Sequence, residues 1–342
     1  MKKNIFILVS ILLIAALLAG CGSKAGKDAV QNPPDKQKQQ ENNQAQQENN
    51  KGEQENEGDV FPLKVTDAMG NEITISKKPE NIVSLFLASD EILMSITDRE
   101  NIKALSHISK SDGISNIADQ VEGIQTVETN AEVVISLKPD LVFVSNLSDQ
   151  DFVKHLKDAQ IPVYIYQIPV NIEQVKSLVK ELAYVIGETD KGQEVISWMD
   201  EILNEVRSKT GSLPEEEKVR ALALDAFFYT YGKGSTFDSI AEHAGVINLA
   251  SANGMEMWQE ISKEQVVKLN PDVILLPSWS FEGFDAAEYA ENFRNDPSLA
   301  DVSAVKDGRV FTLPEEHMTA CSHYIVLGVK DLAEAAYPDL FN

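Results

Sequence analysis

The chain has 342 residues, 43% hydrophobic and 25% charged, with 54 acidic side chains against 30 basic ones and a formal net charge of −24. Nearly all of that charge falls on residues 60–342, a surface that repels a phosphate backbone and excludes nucleic acid as a partner. Cys21 and Cys321 are the only cysteines, so the fold must rest on an apolar core rather than a disulfide framework.

The N-terminus opens with Lys2 and Lys3 and then runs uncharged from Asn4 to Gly20 in Ile, Leu and Ala. A basic start, a short apolar helix and small residues before a cleavage point make a signal peptide. The run is short for a membrane-spanning helix and lacks a basic stop-transfer flank. Leu18-Ala19-Gly20-Cys21 resembles the lipoprotein signals of bacteria, which implies cleavage after residue 20 and a lipid on Cys21. Residues 22–59 are mostly Gln, Asn, Glu, Lys, Gly and Ser; too little apolar surface is present to offset ordering entropy, and 21–59 reads as a flexible spacer.

Residues 63–66 and 72–75 alternate apolar and polar positions around Asp67-Ala68-Met69-Gly70, a β-hairpin pattern. Short β-rich runs then alternate with helical patterns: residues 82–85, a helix from about Ser89, then 102–106, 141–145, a helix near Phe152, and 163–166. That order predicts βα units and a largely parallel sheet in a lobe spanning 60–188. Residues 189–210 carry Val195, Met199, Ile202 and Val206 at helical spacing with Thr189 placed to cap them, one long amphipathic connecting helix. A second series, with strands at 219–224, 273–276 and 309–312, fills 211–342. The expected fold is α/β: two Rossmann-like lobes joined by a single long helix, with a ligand cleft between them.

Two segments echo each other across the lobes: Asn130-Ala131-Glu132 leading to Pro139-Asp140, and Ser262-Lys263-Glu264 leading to Pro271-Asp272. Asn130 and Ser262 are good N-caps, each followed by a short helix and a buried strand. From spacing alone, Glu132 and Glu264 complement the positive ends of their helices.

Together with Asn81-Ile82-Val83-Ser84-Leu85, Ala88-Ser89-Asp90-Glu91, Ile240-Ala241-Glu242-His243-Ala244-Gly245 and Leu332-Ala333-Glu334-Ala335-Ala336-Tyr337-Pro338, these segments resemble the substrate-binding lipoproteins of iron-siderophore, haem and vitamin B12 type ABC importers. The resemblance covers residues 61–342. It implies a binding protein rather than an enzyme, monomeric and without a resident cofactor. It further implies one glutamate per lobe, Glu132 and Glu264, docking on a permease dimer that is served by a cytoplasmic ATPase. The expected location is the outer face of the cytoplasmic membrane of a Gram-positive type cell, held there by the lipid anchor.

In open α/β lobes ligands meet the loops beyond the carboxyl ends of the strands. Those loops nominate Phe86, His107, Asn146, Tyr166, Phe228, Tyr229, Tyr231, Trp258, Trp279, His317, Met318 and His323 as ligand-binding residues. Aromatic faces with a few hydrogen bonds suit an iron chelate, haem or cobalamin. Arginine is scarce, Arg99, Arg207, Arg220, Arg294 and Arg309 being the only five, which favours a weakly charged chelate such as a hydroxamate over a catecholate. His317, Met318, Cys321 and His323 resemble soft metal ligands, and haem would take its axial ligands from them; no protein-bound metal is otherwise expected. An extracytoplasmic metal-dependent enzyme is the alternative of a different class. Against it, Gly232-Lys233-Gly234-Ser235 lacks phosphate-loop spacing, and no hydrolase or zinc motif occurs.

Overall fold

A computed structural model describes residues 61–342; the expected export signal, Cys21 and spacer lie outside the described residues. Strands β1 (Leu63–Thr66) and β2 (Glu72–Ile75) pair antiparallel, burying Leu63, Val65, Ile73 and Ile75. Their turn is held by Asp67, whose carboxylate accepts from the amides of Met69 and Asn71. At its tip Gly70 takes φ +81°, where a side chain would be strained.

The first lobe is built on β3 (Ile82–Ser84), β4 (Ile102–Ser106), β5 (Gln125–Val127), β6 (Leu141–Ser145) and β7 (Val163–Tyr166). They form an all-parallel sheet in the order β5-β4-β3-β6-β7. Helices α1 (Leu87–Ile96), α2 (Ala131–Ser136) and α3 (Gln150–Asp158) cover it. β3, β6 and β7 are buried at every position, which is why they read as continuous apolar runs rather than alternating ones. Because the chain leaves β3 towards β4 on one side and β6 on the other, the sheet has its switch point there, with a crevice at the carboxyl ends.

The chain then forms α4 (Ile172–Ile186) and α5 (Thr189–Thr210). The 22 residues of α5 span about 33 Å. Thr189 does not cap this helix: Glu188 holds the N-cap position without a side-chain bond, and the Thr189 hydroxyl is buried without a hydrogen-bond partner. The expected apolar stripe is present, Met199 and Val206 fully buried and Val195 and Ile202 partly so. α5 is not a bare strut. α4 lies antiparallel to it, Lys176 meeting Asp200 at 2.7 Å, and the two helices press together where Gly192 faces Ala183; a Cβ on Gly192 would sit 2.5 Å from that of Ala183. The start of α4 already belongs to the second lobe, since the Ile172 amide donates to Ser239 Oγ at 3.2 Å.

In the second lobe, β8 (Arg220–Ala223), β10 (Ile247–Asn248), β12 (Val273–Leu276) and β13 (Val310–Thr312) form a parallel sheet in the order β10-β8-β12-β13. A separate antiparallel pair, β9 (Tyr229–Tyr231) with β11 (Trp258–Glu260), stands beyond the carboxyl end of β8. The helices are α6 (Thr236–Ala244), α7 (Leu249–Ala252), α8 (Lys263–Leu269), α9 (Ala286–Arg294), α10 (Ser303–Lys306), α11 (Glu315–Met318), α12 (Ile325–Ala336) and α13 (Pro338–Phe341). Gly232-Lys233-Gly234-Ser235 is a structural turn: a Cβ on Gly232 would lie 2.2 Å from the Met255 carbonyl, and Ser235 caps α6.

The sequence echo has a tertiary counterpart. Asp140 accepts from the Asn81 amide at 3.0 Å and its own amide donates to the Asn81 carbonyl at 3.1 Å. Asp272 does the same with Arg220, at 3.0 and 2.9 Å. In each lobe the Pro-Asp aspartate thus fastens the start of the neighbouring first strand. Lys138 and Asn270, two residues before each aspartate, share a left-handed backbone with φ 53° and 46°.

Candidate functional site: a cleft between the lobes

The carboxyl ends of β3, β4 and β5 open on a chamber of about 400 Å³. Its walls are Leu85, Phe86 and Leu87 after β3, Ser106, His107 and Ile108 after β4, and Val127 and Thr129 after β5. Its floor is Glu91 of α1 together with Thr319, Ala320 and Cys321 from the second lobe. A smaller pocket of about 40 Å³ lies over the carboxyl ends of β8, β12 and β13, lined among others by Leu224, Tyr231, Pro277, Leu313, Glu315 and Met318. Thr319 borders both, so the two form one inter-lobe site. No Lys or Arg is among the residues lining either.

The floor is held by hydrogen bonds that cross the lobes. Glu91 Oε1 accepts from the Asn116 backbone and side-chain amides at 2.8 and 3.0 Å, and Oε2 accepts from the Ser322 hydroxyl. Asn116 also donates to the Glu316 carbonyl at 2.8 Å. Burial raises the Glu91 carboxyl above its ordinary value, against the pull of these donors. Asp90, fully buried beside it, accepts from the Ser106 amide and hydroxyl, and burial pushes its carboxyl up to about 7. Burial likewise pushes the Cys321 thiol up to about 11, so it is a protonated, unreactive wall. In the smaller pocket burial raises Glu315, which accepts from the Ser278 amide.

Of the ligand-binding residues expected from sequence, Phe86 and His107 line the larger chamber and Tyr231 and Met318 the smaller. Trp279 reaches across to the first lobe, where a Cβ on Gly113 would lie 3.0 Å from the indole. Tyr229 and Trp258 stack at 4.3 Å on the β9-β11 pair, with the indole N–H donating to Asp225 at 2.8 Å. Trp258 keeps 48% of its surface exposed.

Five expectations are corrected. Tyr166 is fully buried and donates to Ser89 at 3.0 Å, a core residue of the first lobe. Asn146 uses its carbonyl oxygen on the Ile168 amide at 3.0 Å, shaping the loop after β7. Phe228 has φ 64° and turns inward against Phe293. His317 Nδ1 lies 2.6 Å from Asp331, tied to α12. His323 is buried between the lobes, Nε2 at 3.0 Å from Ser95 and its ring edge-on to Trp198, and burial pushes it down to about 3, so it is neutral. The soft-ligand grouping of His317, Met318, Cys321 and His323 therefore does not converge, and no cluster of three or more metal-ligating His, Cys, Asp or Glu side chains occurs among the described residues. Sequence reasoning missed Glu91, Glu315, Ser106 and Asp225 as site residues. Glu91 stood in a quoted motif, but nothing local marks which first-turn carboxylate points inward.

Glu132 and Glu264 are exposed in the first turns of α2 and α8, whose caps Asn130 and Ser262 accept from Val133 and Gln265. α2 begins just past the carboxyl end of β5, and the Ile261 amide just before α8 binds the Phe228 carbonyl beyond β8. Each glutamate thus stands on the cleft-side edge of its lobe.

No described helix is long and apolar enough to cross a membrane. Comparison with known proteins agrees with this architecture. Residues 82–317 match the family described as periplasmic binding protein. The chain is 28% identical, over 100% of both sequences, to the uncharacterized ABC transporter substrate-binding lipoprotein YvrC of Bacillus subtilis. It is 24% identical to the molybdate-binding protein MolA of Haemophilus influenzae over 81% of this chain and 86% of that one. The molybdate-bound MolA structure superposes with a TM-score of 0.68 over 82% of this chain and 92% of MolA, at 23% identity. The apo heme-binding protein RhuT of Roseiflexus superposes at 0.66 over 76% of this chain and 99% of RhuT, at 19% identity. The chain therefore belongs to the periplasmic binding protein family, as a substrate-binding protein of an ABC importer and not an enzyme.

Proposed function

We propose that this protein captures an iron-siderophore-type metal chelate outside the cytoplasm and delivers it to a membrane permease, tethered meanwhile by a lipid on Cys21. The observation that carries the reading is the inter-lobe cleft: apolar side chains, aromatic rims and no lysine or arginine in its lining. Such a lining suits an organic chelate that shields its metal and holds little negative charge. It does not suit a bare oxyanion or a catecholate. Axial ligation of haem finds little support, because His317 and His323 are engaged elsewhere and only Met318 lines the site. Glu132 and Glu264, exposed one to a lobe, are the proposed docking points on the two permease subunits.

Ferrichrome, ferric citrate, haem, cobalamin and molybdate should be titrated separately into the purified protein, following tryptophan emission and thermal midpoint. Quenching and stabilisation by ferrichrome in the micromolar range or tighter is expected. Selective stabilisation by molybdate or haem would reject the chelate assignment.

A further inference from the structure

The inter-lobe site contains one buried carboxylate from each side and no basic side chain to balance them. Glu91 lines the larger chamber from α1 and is 1% exposed. Glu315 lines the smaller pocket at the start of α11. Both meet only neutral hydrogen-bond donors: Asn116 and Ser322 for Glu91, the Ser278 amide for Glu315. Asp225 adds a third negative group at the rim, beneath the exposed indole of Trp258.

An uncompensated carboxylate in a poorly solvated cavity is costly, and it is retained where a partner brings the missing charge. The rim matches this demand, since the open ring faces of Trp258 and Trp279 attract cations. An anion would meet two carboxylates at close range without a balancing cation.

We infer that the cleft selects for chelates of net positive charge, with Glu91 and Glu315 as the counter-charges contributed by the two lobes. The inference rests on the chelate-carrier reading and narrows it: the ligand is a metal complex with a pendant ammonium or equivalent cationic group, set across the seam near Thr319. Carboxylates on both sides would let the cation bridge the lobes, so that charge recognition and lobe contact reinforce one another.

Three chelates that differ in net charge test it: ferrioxamine B (positive), ferrichrome (neutral) and ferric citrate (negative), titrated by tryptophan quenching at low ionic strength. The expected order is ferrioxamine B tightest and ferric citrate weakest, at least about tenfold apart. E91Q and E315Q should each weaken ferrioxamine B binding roughly fivefold or more while shifting ferrichrome by less than about twofold. Thermal melting confirms that each variant folds; E315Q, away from the Asn116 and Ser322 contacts, provides an independent test should E91Q loosen the lobe seam. Ferric citrate binding as tightly as ferrioxamine B, or both variants weakening neutral and cationic chelates alike, overturns the inference and leaves the carrier reading intact. No binding by any of the three overturns both.

Discussion

The two lobes share a plan and differ at one insertion. In the first, β3 passes to α1 through only Leu85 and Phe86. In the second, the step from β8 to α6 is interrupted by β9, which then pairs with β11. The insertion brings Tyr229, Tyr231 and, through β11, Trp258 to the cleft side, whereas the first lobe presents Leu85, Phe86 and Glu91 directly. The comparison teaches that the scaffold is set by elements the lobes have in common, the parallel strands and the Pro-Asp clasps. Recognition is set by what each lobe places after its first strand.

The largest expected effect tests the symmetry of the exposed glutamates. Reversing both, Glu132→Arg with Glu264→Arg, should cut uptake by whole cells roughly a hundredfold while ligand affinity in vitro is unchanged; each single reversal should cost about tenfold. Normal uptake by the double variant would end the docking assignment.

An asymmetry comes next, because only the first lobe buries a carboxyl like Asp90 at its first helix. Its folded value of about 7 stands above the ordinary 3.8, so the folded state holds its proton more tightly than the unfolded chain. Stability from this group is present below about pH 4 and is lost as pH rises towards 7, by about 4 kcal/mol in total, with Glu91 acting in the same direction. Urea midpoints at pH 4.5, 6 and 8 should therefore decline in the wild type more steeply than in Asp90→Asn. Parallel profiles for the two proteins would refute the assignment.

The clasps differ in strength. Asp272 also binds the Arg220 guanidinium, at 2.7 and 3.0 Å, whereas Asp140 holds only backbone amides. Asp272→Ala should cost about 2–3 kcal/mol and Asp140→Ala about 1–2, read from denaturant unfolding. Smallest are the caps: Ser262→Ala, which breaks a reciprocal capping box, and Asn130→Ala should each cost about 1 kcal/mol, the former slightly more. An equal loss at Asp140 and Asp272 would show that the guanidinium pairing contributes nothing.

Much of the scaffold was legible because burial leaves a local imprint. The apolar runs of β6, β7 and β12, the stripe along α5 and the caps at Asn130 and Ser262 are written in adjacent residues. The short strands β5, β9, β10 and β11 were not, since two or three residues carry no periodicity, and β9 and β11 pair across a separation the sequence does not mark. The site was harder for the same reason. Tyr166 and His323 looked like ligand contacts from their place after a strand or within a polar cluster, but tertiary partners turn them inward. Glu91 looked like a helix-start carboxylate until Asn116 and Ser322 closed around it.

The tight seam between α4 and α5, where Gly192 admits Ala183, gives the molecule the character of a caliper whose jaws are locked at one setting. Two antiparallel helices resist splaying in a way that one cannot. On the proposed docking, empty and loaded carriers would offer the permease the same span between Glu132 and Glu264 and would compete for it. Traffic through the importer would then depend on the fraction of carriers that are full, and surplus carrier without cargo would act as a brake.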